Sequence, residues 1–182
     1  ASARDLPRLH DGAFIMQRGG MRLDAALEPQ DLPRLARVGV NGLLRRSAIH
    51  HELLGKVTQA RHARIVEGLR ELDRRRDVLF VLRRLRLGTR WLAFTASDAR
   101  QWSQLRAQVG DFLAGLQAQG LLRGTGPAEA GFVRCDAQTN RGLAEGSVCF
   151  TVGINLAGTA AVLTYRVTQA PAGCSISELG KA

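Results

Sequence analysis

The stretch that most constrains the fold runs from residue 89 to residue 121 and carries the longest amphipathic pattern of the chain. Apolar residues recur there at steps of three and four, which places them on one face of a helix. This face consists of Trp102, Leu105, Val109, Phe112, Leu113 and Leu116. Ser97 stands where an N-cap belongs, and Gly120 where a glycine can end a helix. We expect this helix to pack against the core.

The residues just before this helix are predicted to form a short buried strand. Residues 90–94 form an almost continuous apolar run that includes Trp91. Short apolar runs of this length are typical of buried strands. We therefore expect Trp91 to join the helix residues in a core built on a sheet.

A second amphipathic helix is predicted over residues 73–87, with Asp73 as its N-cap. Its apolar face holds Val78, Val81, Leu82 and Leu85. The opposite side mixes several arginines with Leu79 and Phe80. Arginines and large apolar residues on one surface are typical of an interface. The alternative is a solvated basic face with Phe80 lying under a neighbouring loop.

Strand patterns fill most of the remaining sequence. Alternating residues predict strands at 13–16, 21–27, 40–44, 130–135, 146–156, 159–168 and 174–179, and a short helix at 29–38. Only Ala157 and Gly158 separate the predicted strands 146–156 and 159–168, which predicts that these two form a hairpin. The expected fold is α+β, with a small mixed or antiparallel sheet packed against two main amphipathic helices and followed by an extended terminal arm.

The charge balance points to an anionic partner. The chain has 26 Lys plus Arg against 16 Asp plus Glu, a formal net charge of +10. Such an excess suits nucleic acid, a membrane surface or an acidic protein surface. Arginine suits the last well, because its planar fork binds carboxylates in a bidentate way. With 45% hydrophobic residues, the chain can also bury a proper core.

Cysteine and histidine usage predicts neither disulfides nor a metal site. The three cysteines are widely spaced, without a CxxC pair. His50 and His51 are adjacent and so point in different directions, and no carboxylate motif accompanies them or His62. We expect a reducing compartment, no metal and no cofactor. No run of 18 apolar residues occurs, so we expect no membrane insertion.

The sequence carries no motif of three common kinds of enzyme. The sequence has no Gly-x-Ser-x-Gly motif, and no cysteine stands in a recognisable nucleophile context. It also has no phosphate-binding Gly-x4-Gly-Lys-Ser/Thr loop. Its carboxylates are scattered through polar positions without a paired acid–base motif. We expect that the chain is not an enzyme.

Several motifs, in order, resemble the C-terminal domain of contractile tail sheath proteins. A helix ends in a Gly-Thr-x-Trp segment at Gly88, Thr89 and Trp91. A helix with Trp102 and the Val-Gly-Asp-Phe-Leu segment 109–113 follows, and then a Phe-x-Val-x-Cys-Asp strand at 132–136. The family occurs in tailed bacteriophages, phage-tail-like bacteriocins and related contractile injection systems.

This resemblance implies a structural protein of a contractile tail. A sheath polymerises as stacked hexameric rings around an inner tail tube and contracts to drive that tube through a cell envelope. The implied partners are further copies of the chain, the tube protein, the baseplate and the tail terminator. The implied location is the virion tail or an extracellular tail-like particle, assembled in the bacterial cytoplasm.

The resemblance also suggests roles for particular segments. Residues 1–64 would lead into the sheath domain at 65–170, with an arm at 171–182. In the family, such arms add strands to a neighbour's sheet. The arm residues are Cys174, Ser175, Ile176, Ser177, Glu178 and Leu179. The expected tube contacts are Arg76, Arg83, Arg84, Arg86, Arg100 and Arg106.

The beginning of the chain predicts a longer parent protein. Ala1 opens the sequence without Met, and the family's Pro-Gly-Val-Tyr type opening of the N-terminal arm is not visible. The chain therefore resembles the C-terminal part of a sheath protein.

The alternative function is a basic nucleic-acid-binding domain. Six arginines between residues 74 and 86 could neutralise phosphates. Against it, aromatic residues are few and no stacking platform is apparent. The same helix also carries an apolar face, so we expect it to be packed and not a free basic arm.

Overall fold

The computed structural model describes residues 14–16, 27–45, 50–57, 71–95 and 97–181. The chain divides into two compact units between Arg75 and Arg76. Helices and two antiparallel sheets make up the described elements, so the fold is α+β as predicted. The expected boundary at 64/65 and most of the predicted strand 21–27 lie outside the described residues, as does His62.

The N-terminal unit contains a three-stranded antiparallel sheet of order β1-β3-β2. Its elements are β1 (Phe14–Met16), α1 (Leu32–Arg37), β2 (Gly42–Arg45) and β3 (His50–Leu54). A single 3-10 turn, Pro29–Asp31, leads into α1. The predicted helix at 29–38 and the predicted strands at 13–16 and 40–44 are confirmed to within one or two residues.

Helix α2 (Leu72–Gly88) confirms the predicted arginine-rich helix. Its N-terminus differs from the prediction, because Asp73 lies inside the first turn and is not the N-cap. The amide of Leu72 donates to the carbonyl oxygen of Lys56 at 2.7 Å, which fixes the helix start one residue earlier. The Asp73 carboxylate instead pairs with the Lys56 ammonium at 3.6 Å.

The segment between the two main helices is a 3-10 helix, Arg90–Phe94, and the predicted strand is wrong. Thr89 prolongs α2, since its amide donates to the Leu85 carbonyl at 3.1 Å, and the Leu92 amide then donates to Thr89 at 3.1 Å. Leu92 and Ala93 are buried, which explains the apolar run. Periodicity alone does not separate so short a run in a strand from one in a helical turn.

Helix α3 (Ala99–Ala118) confirms the predicted central helix. Its N-cap is Asp98, whose side chain accepts from the Gln101 amide at 2.8 Å, so the prediction of Ser97 is wrong by one residue. The Ser97 hydroxyl instead accepts from the Trp102 indole N–H at 3.0 Å. Gly120 ends the helix as predicted, with φ +75°, and its amide donates to Gln117.

The C-terminal unit contains a four-stranded antiparallel sheet of order β4-β5-β6-β7. The remaining elements are α4 (Pro127–Ala130), β4 (Gly131–Arg134), β5 (Val148–Ile154), β6 (Leu163–Ala170) and β7 (Gly173–Lys181). The strands predicted at 130–135 and 174–179 are thereby confirmed.

The predicted hairpin of the strands 146–156 and 159–168 is confirmed as an antiparallel pair, but its connection is longer than the two residues expected. Strands β5 and β6 pair along their whole length, but residues 155–162 connect them. After Ile154 the chain pairs elsewhere, because Leu156 bridges to Leu122 and the amide of Ala157 donates to Leu121 at 3.0 Å. Leu156 is buried, so this detour closes the end of the core.

The core of the C-terminal unit lies between the helices and one face of the sheet. Buried side chains come from α2 (Val78, Val81, Leu85), α3 (Leu105, Val109, Leu113, Leu116), β5 (Val148, Phe150, Val152, Ile154) and β6 (Leu163, Tyr165, Val167). Trp91, Trp102 and Phe112, also predicted for the core, are half-buried. No helix in the described part of the chain is long and apolar enough to cross a membrane.

Candidate functional site

The arginines of α2 are distributed over two different surfaces. Arg83, Arg84 and Arg86 are exposed, and Arg76 is half-buried nearer the start of the helix. Arg83 and Arg86 border one pocket, whereas Arg84 borders a different groove. The predicted arginine face is therefore not a single continuous contact surface.

The guanidinium of Arg84 lies 5.3 Å from the centre of the Phe80 ring, a distance within the range of a cation–π contact. Both residues line a groove of about 610 Å³ between α2 and α3. The groove is mainly apolar and includes Val109, Phe112 and Leu116. Phe80 is half-buried and lines the groove together with residues of α3.

The two predicted contact residues on α3 do not join the arginines of α2. Arg106 donates a hydrogen bond to the carbonyl oxygen of Cys135, at the end of β4. Its guanidinium therefore stabilises the sheet edge. Arg100 is exposed near the start of α3 and lines none of the pockets described here.

Arg83 and Arg86 share a second pocket with Arg90, a residue that the sequence analysis did not select. This pocket has a volume of about 450 Å³ and is completed by Leu87, Phe94 and the β6–β7 turn. The predicted strand at residues 90–94 gives Arg90 no place on the helical arginine face, so the sequence pattern does not single it out. As a continuation of the helix, it follows Arg83 by seven residues and Arg86 by four, which is the spacing of one helical face.

The predicted arm residues form an edge strand in this structure. Strand β7 pairs with β6 from Ala170↔Gly173 to Leu163↔Lys181, with an irregularity between Thr164 and Tyr165. Cys174 and Ile176 are half-buried, whereas Ser175 and Ser177 are exposed, so the predicted alternation holds over residues 174–177. It ends there, because Glu178 and Leu179 are both exposed. The other edge of β7 has no partner strand among the described residues. Such an edge can accept a further strand.

Gln169 connects the end of α2 to this sheet through hydrogen bonds. The sequence pattern does not single out this residue. It is 2% exposed, and its Nε2 donates to the Arg86 carbonyl oxygen and to Thr89 Oγ1, both at 2.8 Å. Carbonyl groups in the last turn of a helix have no partner within that helix. The side chain of Gln169, in β6, supplies a hydrogen-bond donor for the Arg86 carbonyl. Nothing in the alternating strand pattern distinguishes Gln169 from other polar strand residues.

The thiols are placed in poorly solvated positions. Burial raises the pKa of the Cys135 thiol, although a hydrogen bond from Asn140 opposes the rise. Burial also raises the pKa of the Cys174 thiol, although the positive charge of the nearby Arg86 guanidinium opposes the rise. All three cysteines are free. In the described ranges, no group of three or more His, Cys, Asp or Glu side chains is placed to hold a metal ion.

No protein-family model matches this chain, and the search of curated proteins finds no match.

Proposed function

We propose that this chain is the C-terminal part of a contractile tail sheath subunit. It would polymerise as stacked hexameric rings around an inner tail tube, and contraction would drive the tube through a cell envelope. Its partners would be other sheath subunits, the tube, the baseplate and the tail terminator. It would act in a virion tail or an extracellular tail-like particle, after assembly in the bacterial cytoplasm. The free energy for contraction would be stored in contacts between subunits.

The observation that carries this proposal is the position of the predicted arm, added to the motifs that resemble the family. Residues 174–179 lie in the edge strand β7, which follows β6 after only two residues. Main-chain hydrogen bonds to β6 hold it, so a strand from another copy with the same backbone could take its place. Exchange of β7 between copies would connect subunits without new side-chain contacts.

The exposed arginines of α2 support a contact with an acidic tube surface. Surface ion pairs are individually weak, so contraction could break them. Reversing the charge of Arg83 and Arg84 (R83E/R84E) is expected to weaken tube binding in co-sedimentation with assembled tubes. Unchanged co-sedimentation would remove this part of the proposal, while leaving the assembly of the sheath itself open to the next test.

Negative-stain electron microscopy of the purified protein tests the proposal as a whole. Hollow tubes with sixfold end views are the expected result. Dispersed particles that bind heparin, with an affinity that falls steeply between low and moderate salt, would favour the nucleic-acid alternative, for which the exposed arginines of α2 are the supporting observation. Dispersed particles without heparin binding would contradict both functions for this chain.

A further inference from the structure

The pocket shared by Arg83, Arg86 and Arg90 is lined by residue types that commonly bind ligands. These three arginines, Leu87, Ala93, Phe94 and the residues of the β6–β7 turn line its volume of about 450 Å³. The three guanidinium-bearing residues are all exposed. A volume of this size lies within the range of known ligand pockets.

The pocket carries three positive charges and no negative charge of its own. Its lining contains neither Asp nor Glu. Among the described residues, none of the three arginines forms an ion pair with a carboxylate. Like charges gathered in a concavity repel one another and raise the local concentration of anions. The complementary ligand is therefore anionic.

The same pocket exposes apolar surface. Phe94 is 82% exposed and Leu87 is 47% exposed, although both are large apolar residues. Ala93 and Pro171 add apolar wall. Isolated exposed apolar residues are common, but here two of them stand beside three arginines in one concavity. Aromatic and arginine side chains together are typical of the residues that dominate protein–protein binding. The complementary ligand therefore also has an apolar part.

We propose that this pocket binds an acidic segment of a partner polypeptide, in which carboxylate side chains flank an apolar one. The planar forks of Arg83, Arg86 and Arg90 can each bind a carboxylate with two parallel hydrogen bonds. Leu87, Ala93 and Pro171 suit the aliphatic stems of such a segment, and Phe94 covers its apolar side chain. Duplex phosphates lie on a convex rod that a concavity of about 450 Å³ cannot receive. A single phenyl ring also provides less stacking surface than single-strand binding proteins use.

This inference rests on the proposed function, since it names the part of α2 that would hold an acidic tube surface. It narrows that contact to Arg83 and Arg86 and adds Arg90 and Phe94. It assigns no part in the pocket to Arg76, Arg84, Arg100 or Arg106.

Fluorescence anisotropy of the full chain with a labelled acidic peptide tests the pocket. The probe is a fluorescein-labelled peptide with glutamates on both sides of a leucine, and its glutamine counterpart is the control probe. The pocket variant is R83Q/R86Q/R90Q. The matched variant R123Q/R141Q/R166Q removes the same charge from exposed arginines outside the pocket. Two single variants, R90Q and F94A, remain informative if the triple pocket variant does not fold.

The acidic peptide is expected to bind the wild-type chain, and the glutamine peptide is not. The pocket variant should lose roughly ten- to a hundredfold in affinity, since three ion pairs are removed at once. The matched variant should lose about threefold or less, because it changes only the long-range field. R90Q and F94A should each lose roughly threefold or more.

Three results would overturn the pocket. In the first, the pocket variant binds the acidic peptide as tightly as the wild-type chain does. In the second, the matched variant loses as much affinity for this peptide as the pocket variant does. In the third, the wild-type chain binds an oligothymidylate more tightly than the peptide, and the pocket variant loses that binding too. The last would make the pocket a phosphate site. Tubes seen by electron microscopy without pocket-dependent peptide binding would reject the pocket and keep the sheath proposal. Pocket-dependent binding without tubes would reject the sheath proposal and keep the pocket.

Discussion

Asp136 shows how a single carboxylate organises the loop that follows β4. The Arg134 guanidinium donates to it at 2.8 Å and the Thr139 amide at 2.8 Å, and these bonds lower the Asp136 pKa from 3.8 to about 2. A lowered pKa means that the ionised group stabilises the folded state above pH 3.8. This contribution is lost as the pH falls through about 2.

We therefore expect an NMR titration of the Asp136 carboxyl to give a midpoint near pH 2. In R134Q the midpoint should rise, because the largest cause of the shift is removed, but stay below 3.8 while the Thr139 amide still donates. R123Q serves as the control, since it removes a distant arginine. A wild-type midpoint near 3.8 would contradict the hydrogen bonds described for this loop.

The side chain of Asn140 hydrogen-bonds the backbone of β5 in the way that a neighbouring strand would. Its Oδ1 accepts from the Cys149 amide at 2.8 Å, and its Nδ2 donates to the Cys149 carbonyl at 3.0 Å. Asn140→Ala leaves both backbone groups without these bonds, so we expect the free energy of unfolding to fall by roughly 1–3 kcal/mol. Urea denaturation measures this loss.

The matched change for Asn140 is Glu145→Ala, at an exposed position of the same loop. It should alter the free energy of unfolding by about 0.5 kcal/mol or less. Equal stability of the two variants would mean that Asn140 does not support β5.

At the level of elements, two glycines of α3 carry opposite expectations, one just after its C-terminus and one in its interior. Gly120 has φ +75°, and a Cβ added there would meet no atom within 4 Å. Gly120→Ala should therefore cost about 1–2 kcal/mol through backbone conformation alone. Gly110 lies within the helix with similar free space, so Gly110→Ala should stabilise by about 1 kcal/mol. Thermal unfolding of both variants checks the two signs, and matching signs would contradict the helix end described here.

Gln169 offers a test of the connection between α2 and the sheet. Gln169→Ala leaves the Arg86 carbonyl without its donor, so we expect a loss of roughly 1–3 kcal/mol in the free energy of unfolding. Hydrogen exchange should also speed up at the end of α2. Gln104→Ala, at an exposed site of α3, should leave both quantities nearly unchanged. An effect at Gln104 as large as at Gln169 would contradict this role.

The sequence predicts elements well where one period persists over several turns or one alternation over a whole strand. The four buried residues Leu105, Val109, Leu113 and Leu116 recur at helical spacing, and α3 follows from them. Residues 90–94 are too short for a period to show, and their 3-10 turn depends on bonds to the preceding helix. Residues 155–162 leave β5 because of partners more than twenty residues away, such as Leu122, which no local pattern contains.

The candidate site could be predicted only in part for the same reason. The exposed arginines of α2 follow from the helical period, but their division between a groove and a pocket depends on where α3 and the β6–β7 turn lie. Arg90 joins the arginines of α2 on one face only because residues 90–94 form a helical turn and not a strand. Phe94 reads as a core residue in the sequence, and only the structure shows it to be 82% exposed.

For the whole molecule, the arm makes the clearest prediction. Truncation after Ala172 removes β7 and is expected to abolish tubes in electron microscopy, while circular dichroism still shows a folded chain. The control S175A/S177A changes exposed side chains but keeps the backbone of β7, so it should assemble normally. Tubes formed by the truncated chain would contradict a role for the arm in assembly.

Only two residues separate β6 from β7, which fixes the order in which the arm can detach. Lys181 opposes Leu163 at the free end, and Gly173 opposes Ala170 at the turn. A force perpendicular to the strand at the C-terminus would load one pair of strand residues at a time, beginning at Lys181. It would soon reach the irregularity at Thr164 and Tyr165. A pull along the strand would load every pair at once. A chain joined through this strand would resist stretching far better than peeling.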